Sequence, residues 1–306
     1  MEFRQLKYVL TVAEERSFSN AAKKLYIAQP SLSQFIAKLE HQLGVQLFDR
    51  TISPLRLTYA GELYIEMSKK ILDLKSQLSN QMDDIAELKK GRITIGISPF
   101  RSTYTLPHIL PLFHERFPGI EVILAEGTMD ELEKFALRGT TDFSIMNLPI
   151  KENLFDYEPI TTEEILIALP PRHPLSQSLR KKKDLQPQIA LANLREDPFI
   201  LLKPGQRLRQ SAMDLCWQAG FKPHIALESK SIEAAYALVA TGMGVTFVVD
   251  TLANQRPNGS LCCSIAGLKP TRSIVIAYRQ GRYLSKASKE FIVVAKDIFA
   301  HKNHNI

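Results

Sequence analysis

The polar residues between positions 29 and 38 offer amides, hydroxyls and an ammonium that could hydrogen-bond a polar partner. Gln29, Pro30, Ser31, Gln34 and Lys38, with Ser33 nearby, lie along a stretch whose apolar members Leu32, Ile36, Leu39 and Leu43 repeat at helical spacing. Such a helix buries one face and presents amides, hydroxyls and an ammonium on the other. A glutamine can pair bidentately with adenine N6 and N7, and a lysine can meet phosphate. Arg50, Arg56 and Thr58 flank a Pro-containing tip and suit phosphate contacts. A second group, Ser98, Phe100, Arg101 and Ser102, follows the strand-like run RITIGI and precedes a helical run. Hydroxyls and free amide groups at such a junction suit an anion, and the Arg101 fork could close on a carboxylate or an inorganic oxyanion. No acidic residue lies between Ser98 and Arg101 to oppose that charge. The other reading of Arg101 is a side chain pointing to solvent.

Catalytic and metal-binding patterns are missing. His114-Glu115 lacks the second histidine of a zincin motif, and Gly242-Met243-Gly244 lacks the remainder of a dinucleotide fingerprint. There is no P-loop and no GxSxG motif, so no catalytic residue is assigned and no enzyme is expected. The chain has 3 cysteines and no CxxC pair, which excludes a disulfide framework and a thiolate zinc site. Cys262-Cys263 falls in a strand-like run, where one of the two should be buried and inert. No metal and no cofactor are expected. The reading places the chain in the reducing cytoplasm, without a signal peptide or membrane span.

These groups need scaffolds. The chain has 306 residues, 45% hydrophobic and 23% charged, which is ordinary for globular domains. Lys+Arg exceed Asp+Glu by 39 to 32. In residues 1–58 eight basic groups stand against five acidic ones, compatible with a polyanionic partner. That segment reads as short helices followed by a two-stranded wing. Phe3, Leu6, Val9 and Leu10 recur at helical spacing; Ser19 is the expected cap of a second short helix, with Phe18 as its staple residue. Ala21 and Ala22 let two helices cross closely, giving a helix-turn-helix over about 18–37. Residues 59–90 read as one long helix capped by Thr58. Tyr64, Met67, Ile71, Leu74, Leu78, Met82, Ile85 and Leu88 repeat near 3.5 residues, the coiled-coil period. One helix cannot bury such a stripe on itself. The partner is most simply the same helix of a second chain, and the other reading is packing on the α/β remainder of its own chain. From residue 91 to 306, strands alternate with helices of about ten residues, which implies parallel sheets covered on both faces, with ligands at strand carboxyl ends. Arg180–Lys183 reads as a solvated loop.

The run FSNAAKKLYIAQPSLSQFIAKLEHQLGVQLFDR, the wing LRLTYAG, the long helix and RITIGIS resemble the LysR-type transcriptional regulators. PHILPLFHERFPGIEV, LRGTTDFSIM, RHPL and TGMGVTFV extend the resemblance along the chain. It implies a winged helix-turn-helix, a dimerising linker helix and an α/β effector domain like the type 2 periplasmic binding proteins. The two subdomains would be 92–161 plus 269–306, and 162–268, joined by two crossover strands. The family usually carries a basic residue after the serine of its recognition-helix motif; here Gln34 follows Ser33, which suggests a base reader instead. The resemblance also implies that Thr128 and Asn147 line the effector site, with Leu202, Lys203 and Thr246 as further candidates. Implied partners are double-stranded DNA with an inverted repeat, a second copy in a dimer or dimer of dimers, and RNA polymerase. The other functions considered are a solute-binding module and an architectural DNA-binding protein without effector response. Operator binding that responds to a metabolite separates them from a regulator.

Overall fold

The computed structural model describes residues 2–51, 54–85, 91–150, 153–181 and 187–303. Three helices come first: α1 (Phe3–Glu15), α2 (Phe18–Lys24) and α3 (Gln29–Leu43). The strands β1 (Phe48–Asp49) and β2 (Arg56–Leu57) pair antiparallel as a wing, and α4 (Tyr59–Ile85) follows. Ala21 and Ala22 are 0% and 2% exposed, so the helices cross where only a methyl group fits, over a core of Val9, Val12, Leu32, Ile36, Leu39, Leu47 and Phe48. The cap of α2 is Ser17, whose Oγ accepts from Asn20 N, and not the expected Ser19. Arg16 adopts the left-handed conformation just before it, so the helix starts two residues earlier than the pattern indicated.

The rest of the chain runs β3 (Gly91–Ile97), α5 (Pro99–Tyr104), α6 (Leu106–Arg116), β4 (Ile120–Glu126), α7 (Met129–Leu137), β5 (Phe143–Asn147) and β6 (Phe155–Leu169). Then come α8 (Pro174–Lys181), β7 (Gln188–Ile189), a 3-10 turn at Leu191–Leu194, β8 (Pro198–Leu202), α9 (Arg207–Gln218), β9 (His224–Ser229) and α10 (Ile232–Ala240). It ends with β10 (Thr246–Val249), α11 (Asp250–Gln255), β11 (Leu261–Ile265), β12 (Thr271–Arg279) and α12 (Lys286–Asn303). The sheet order is β4-β3-β5-β12-β6-β11-β7, with β10 also pairing β6. β3 pairs parallel with β4 and β5, as expected, while β12 runs antiparallel to both β5 and β6, so the sheet is mixed. The cause is connectivity, since the chain must cross between two lobes twice. β6 is 15 residues long and pairs with β12 in its first part and with β10 and β11 in its last.

Each lobe has its own core. In the first, successive residues of β12 alternate between two layers, as a strand's period of two requires. Ile274 and Ile276 join Phe113, Phe143 and Phe291 on one face; Val275 and Ala277 join Leu132 and Ala136 on the other. The second lobe is built around Ile167, Phe199, Ile200, Ala235, Val239, Phe247 and Val248. Along α4, Met67, Leu74, Leu78 and Met82 are 45–64% exposed and Ile71 is half-buried, so the described residues of the chain leave most of that row uncovered. The side chain of Ile85 and all of Leu88 lie outside the described residues, as does Lys182-Lys183 of the basic run. Arg180 and Lys181 end α8, so that part of the run is helix and not loop.

Candidate DNA interface and effector cleft

Gln29, Pro30, Ser31, Gln34 and Lys38 are exposed on the outer face of α3, and Ser33 is half-buried. The cap residue Ala28 makes no side-chain hydrogen bond, so the first-turn amides of α3 remain available to a phosphate. Tyr26, missed in the sequence, stands 95% exposed in the turn before α3 with φ 56°. A tyrosine hydroxyl there can reach a DNA phosphate. Its signal was the rarity of a wholly exposed aromatic, which only the fold shows.

The wing is fastened by a carboxylate on the inner side of α3. Glu40 is buried and accepts from Leu47 N (2.8 Å), Phe48 N (3.2 Å) and Arg50 Nη2 (2.7 Å). Arg50 is thus held at the wing: one terminal nitrogen is engaged by Glu40, and the guanidinium lies 5.1 Å over the Phe18 ring. Thr58 is the cap that the sequence indicates. Its Oγ donates to Gln46 O (2.6 Å) and accepts from Gly61 N (3.0 Å), so it caps α4 and ties it to the wing. A methyl group on Gly61 would collide with the Leu47 carbonyl oxygen, so this junction requires glycine. Arg56 is exposed on β2.

Between the lobes lies a buried charge cluster. Arg101, 1% exposed, donates from Nη1 and Nη2 to the two oxygens of Glu163 at 2.6 and 2.5 Å, and from Nη2 to Asn147 Oδ1 at 3.0 Å. Glu163 also accepts from Thr251 Oγ and from Arg272 Nε (2.8 Å). The anion-binding role read for Arg101 is therefore corrected, as is its solvent alternative: a carboxylate of the crossover strand, 62 residues away, already occupies the fork. Burial raises the Glu163 carboxyl, and the guanidiniums of Arg101 and Arg272 more than reverse that, leaving its pKa at about 2. Burial and the nearby negative charge of Glu163 raise Asp250. Burial also lowers Arg272, the more so for the charge of Arg101, while Glu163 opposes the change.

Arg272 differs from Arg101 in one respect. Its only hydrogen bond among the described residues is from Nε, which leaves both terminal amino groups without a protein acceptor. The Phe100 ring lies under both guanidiniums, at 5.3 Å from Arg101 and 6.0 Å from Arg272. Phe100 also packs with Tyr104 into the second lobe's core, so α5 bridges the lobes.

The remaining candidates divide. Ser98 caps α5, its Oγ accepting from Arg101 N at 3.3 Å. The Ser102 hydroxyl is buried with no partner among the described residues. Thr128 is exposed and caps α7 with Glu131, whose carboxylate takes its hydroxyl. Leu202 is buried, its carbonyl accepting from Arg209 Nη1 (2.6 Å), while Lys203 is exposed at the end of β8. Thr246 is removed from the site: it is 2% exposed, its Oγ donates to Ile200 O, and it starts β10, whereas Asp250 and Thr251 stand at the cleft end. Arg207 of α9, also missed, approaches Glu133 of α7 at 3.5 Å and so bridges the lobes. Among the described residues no group of His, Cys, Asp and Glu could hold a metal, and no helix is long and apolar enough to cross a membrane.

A DNA-reading helix with a braced wing, joined by one long helix to a two-lobed α/β unit with a polar cleft, defines a ligand-responsive DNA-binding protein. The comparisons agree. Residues 3–62 match the bacterial regulatory helix-turn-helix protein, lysR family, and residues 86–300 match the LysR substrate binding domain. The chain is 33% identical over 307 residues to the uncharacterized HTH-type transcriptional regulator YcgK of Bacillus subtilis (strain 168), covering 97% of this chain and 94% of that protein. It is 30% identical to the DNA-binding transcriptional dual regulator OxyR of Escherichia coli (strain K12), over 92% of this chain and 90% of that one. The structure of full-length CbnR complexed with its target DNA superposes with a TM-score of 0.70 at 26% identity, covering 97% of this chain and all of that one. This chain belongs to the LysR family. It is an effector-controlled, DNA-binding transcriptional regulator and not an enzyme.

Proposed function

We propose that the effector is a small anion, a carboxylate-bearing metabolite or an inorganic oxyanion, bound between the lobes with its negative end at Arg272. The carrying observation is the division of labour between two arginines. Glu163 satisfies the fork of Arg101, while Arg272 shares one nitrogen with the same carboxylate and keeps two terminal amino groups for a ligand. Two guanidiniums against the one carboxylate of Glu163 leave one positive charge over in the cluster. Ser102 Oγ, the Asn147 amide, Ser98, Thr128, Phe100, Leu202 and Lys203 would complete the wall. Thiol oxidation is disfavoured: Cys216 and Cys263 are buried with pKa values pushed up to about 12 by that burial, and burial also raises Cys262. A peroxide-reactive cysteine needs an accessible thiolate.

The same reading places the protein in the cytoplasm as a dimer, or dimer of dimers, paired through Met67, Ile71, Leu74, Leu78, Met82 and Ile85. It would meet an inverted repeat with one α3 per half-site and act on RNA polymerase. The domain limits are 1–58, 59–90 and 91–306. The test is a thermal-shift titration with a panel of small mono- and dicarboxylates, inorganic phosphate and sulfate. At least one anion should raise the Tm of the wild type and fail to raise that of Arg272→Ala. Stabilisation only by cationic or neutral metabolites would overturn the reading.

A further inference from the structure

Asp73 sits mid-way along α4, beside the exposed apolar row and not in it. Its side chain is 3% exposed. Arg279 Nη2 donates to its carboxylate at 3.0 Å, Arg282 Nη2 approaches at 3.0 Å, and Gln77 of the next turn donates at 3.0 Å. The two arginines belong to the first lobe of the effector domain. Arg279 also donates to the Leu137 carbonyl at 3.1 Å, and Arg282 to Asp142 at 3.2 Å. Gly139, with φ 71°, closes the seat: a methyl group there would collide with the Asp73 carboxyl group. A linker-helix carboxylate thus plugs a socket shaped for it. With Asp73 withdrawn, Arg282, its side chain 2% exposed, would keep Asp142 alone, and Arg279 the Leu137 carbonyl. The seat is not a weld, since Arg282 Nε and Nη1 are buried without hydrogen-bond partners among the described residues.

The socket and the cleft share two strands. β12 carries Arg272 at its cleft end and Arg279 at its other end, seven steps away, or roughly 23 Å at a strand's rise. Its antiparallel neighbour β5 carries Asn147 at the cleft end and is preceded by Asp142 at the socket end. Paired strands are stiff, so a change in how Arg272 and Asn147 are held moves Arg279, Arg282 and Asp142 with little loss. We infer that the Asp73 socket is the joint through which the state of the cleft sets the seating of the linker helix, and hence the spacing of the DNA-reading helices. Regulation by the cleft rests on the reading above, but the joint can be tested without any effector.

The experiment is a pulsed spin-label distance measurement on the full-length protein, with labels at Ser76→Cys on α4 and Lys134→Cys on α7, both exposed positions. Doubly labelled chains are diluted with unlabelled protein. In the wild-type background the separation should be single and narrow. Asp73→Asn should add a longer population, and so should Arg272→Gln, which alters only the cleft end. An unchanged distribution in Asp73→Asn would show that the socket does not seat the helix. A shift with Asp73→Asn but none with Arg272→Gln would show a seat uncoupled from the cleft, and would equally overturn the inference. Should Asp73→Asn fail to fold, Arg279→Gln removes half of the socket's charge from the other side and carries the same expectation. Failure of every anion to bind would overturn the effector reading while leaving this readout intact.

Discussion

Glu163→Gln should unsettle the effector domain by an amount that the structure allows to be worked in two ways. The carboxylate is 1% exposed and accepts from Arg101, Arg272 and Thr251. Removing one partner from a buried pair costs roughly 3–5 kcal/mol, because the remaining charge stays buried and unmatched. Independently, the shift from 4.5 to about 2 corresponds to about 3 kcal/mol at 1.36 kcal/mol per pKa unit. The sign follows from the lowered folded-state pKa. This contribution is fully present above about pH 4.5 and is lost as the pH falls toward about 2. Urea unfolding, followed through Trp217 on α9, the chain's one tryptophan, reports on the second lobe that Glu163 helps to anchor. The wild type should exceed the variant by about 3 kcal/mol at pH 7, and the gap should narrow steadily below about pH 4.5. A gap under about 1 kcal/mol at pH 7, the range of an exposed pair, would refute the reasoning. So would a gap that does not change between neutral and acid pH.

Three further outcomes are expected. Gln34→Ala should cost ~1–3 kcal/mol at one base position and relax specificity there, whereas Arg56→Ala should weaken all sequences alike and flatten the salt dependence; equal loss on cognate and random DNA for Gln34→Ala would remove it as a base reader. Leu78→Glu places a charge in the middle of the exposed row of α4 and should abolish dimerisation and inverted-repeat binding together, as sedimentation and gel shift would show; a dimer that persists would place the seam elsewhere. Glu40→Ala strands the Leu47 and Phe48 amides, at about 1–3 kcal/mol each, and frees Arg50. It should lower affinity for all DNA through loss of the wing, and unchanged affinity would show that the wing stands without Glu40.

The DNA-reading half was legible because its signals are local. Ala21-Ala22, Pro30, Gly44 and the Leu32–Leu43 stripe each fix one feature of a helix pair, and together they fix the face on which Gln34 and Lys38 lie. The cleft was only partly legible. Ser98 at the strand-helix junction was read from sequence, but a buried arginine's partner is chosen by topology, and Glu163 lies on a strand whose first half, FDYEPITTE, carries no apolar alternation. Of that half of β6, which lies against β12, only Ile160 and Glu163 are buried, so hydrophobic patterning could not reveal it. α5 and α11 are six residues each, too short for periodicity to register, yet they place Phe100, Arg101 and Thr251. Thr246 failed for a related reason: it was placed on the right strand but at the wrong end. The apolar row of α4 was visible in sequence, whereas Asp73, next to Leu74 in the chain but buried where Leu74 is exposed, acquires meaning only when Arg279 and Arg282 fold against it.

The central claim is that an anion held by Arg272 controls DNA binding. It is tested most directly by fluorescence anisotropy of a labelled inverted-repeat operator, titrated with the full-length protein in the presence and absence of the anion that most raises its Tm. The account predicts that the anion shifts the operator midpoint for the wild type and does not shift it for Arg272→Ala. An equal shift in both proteins would contradict it.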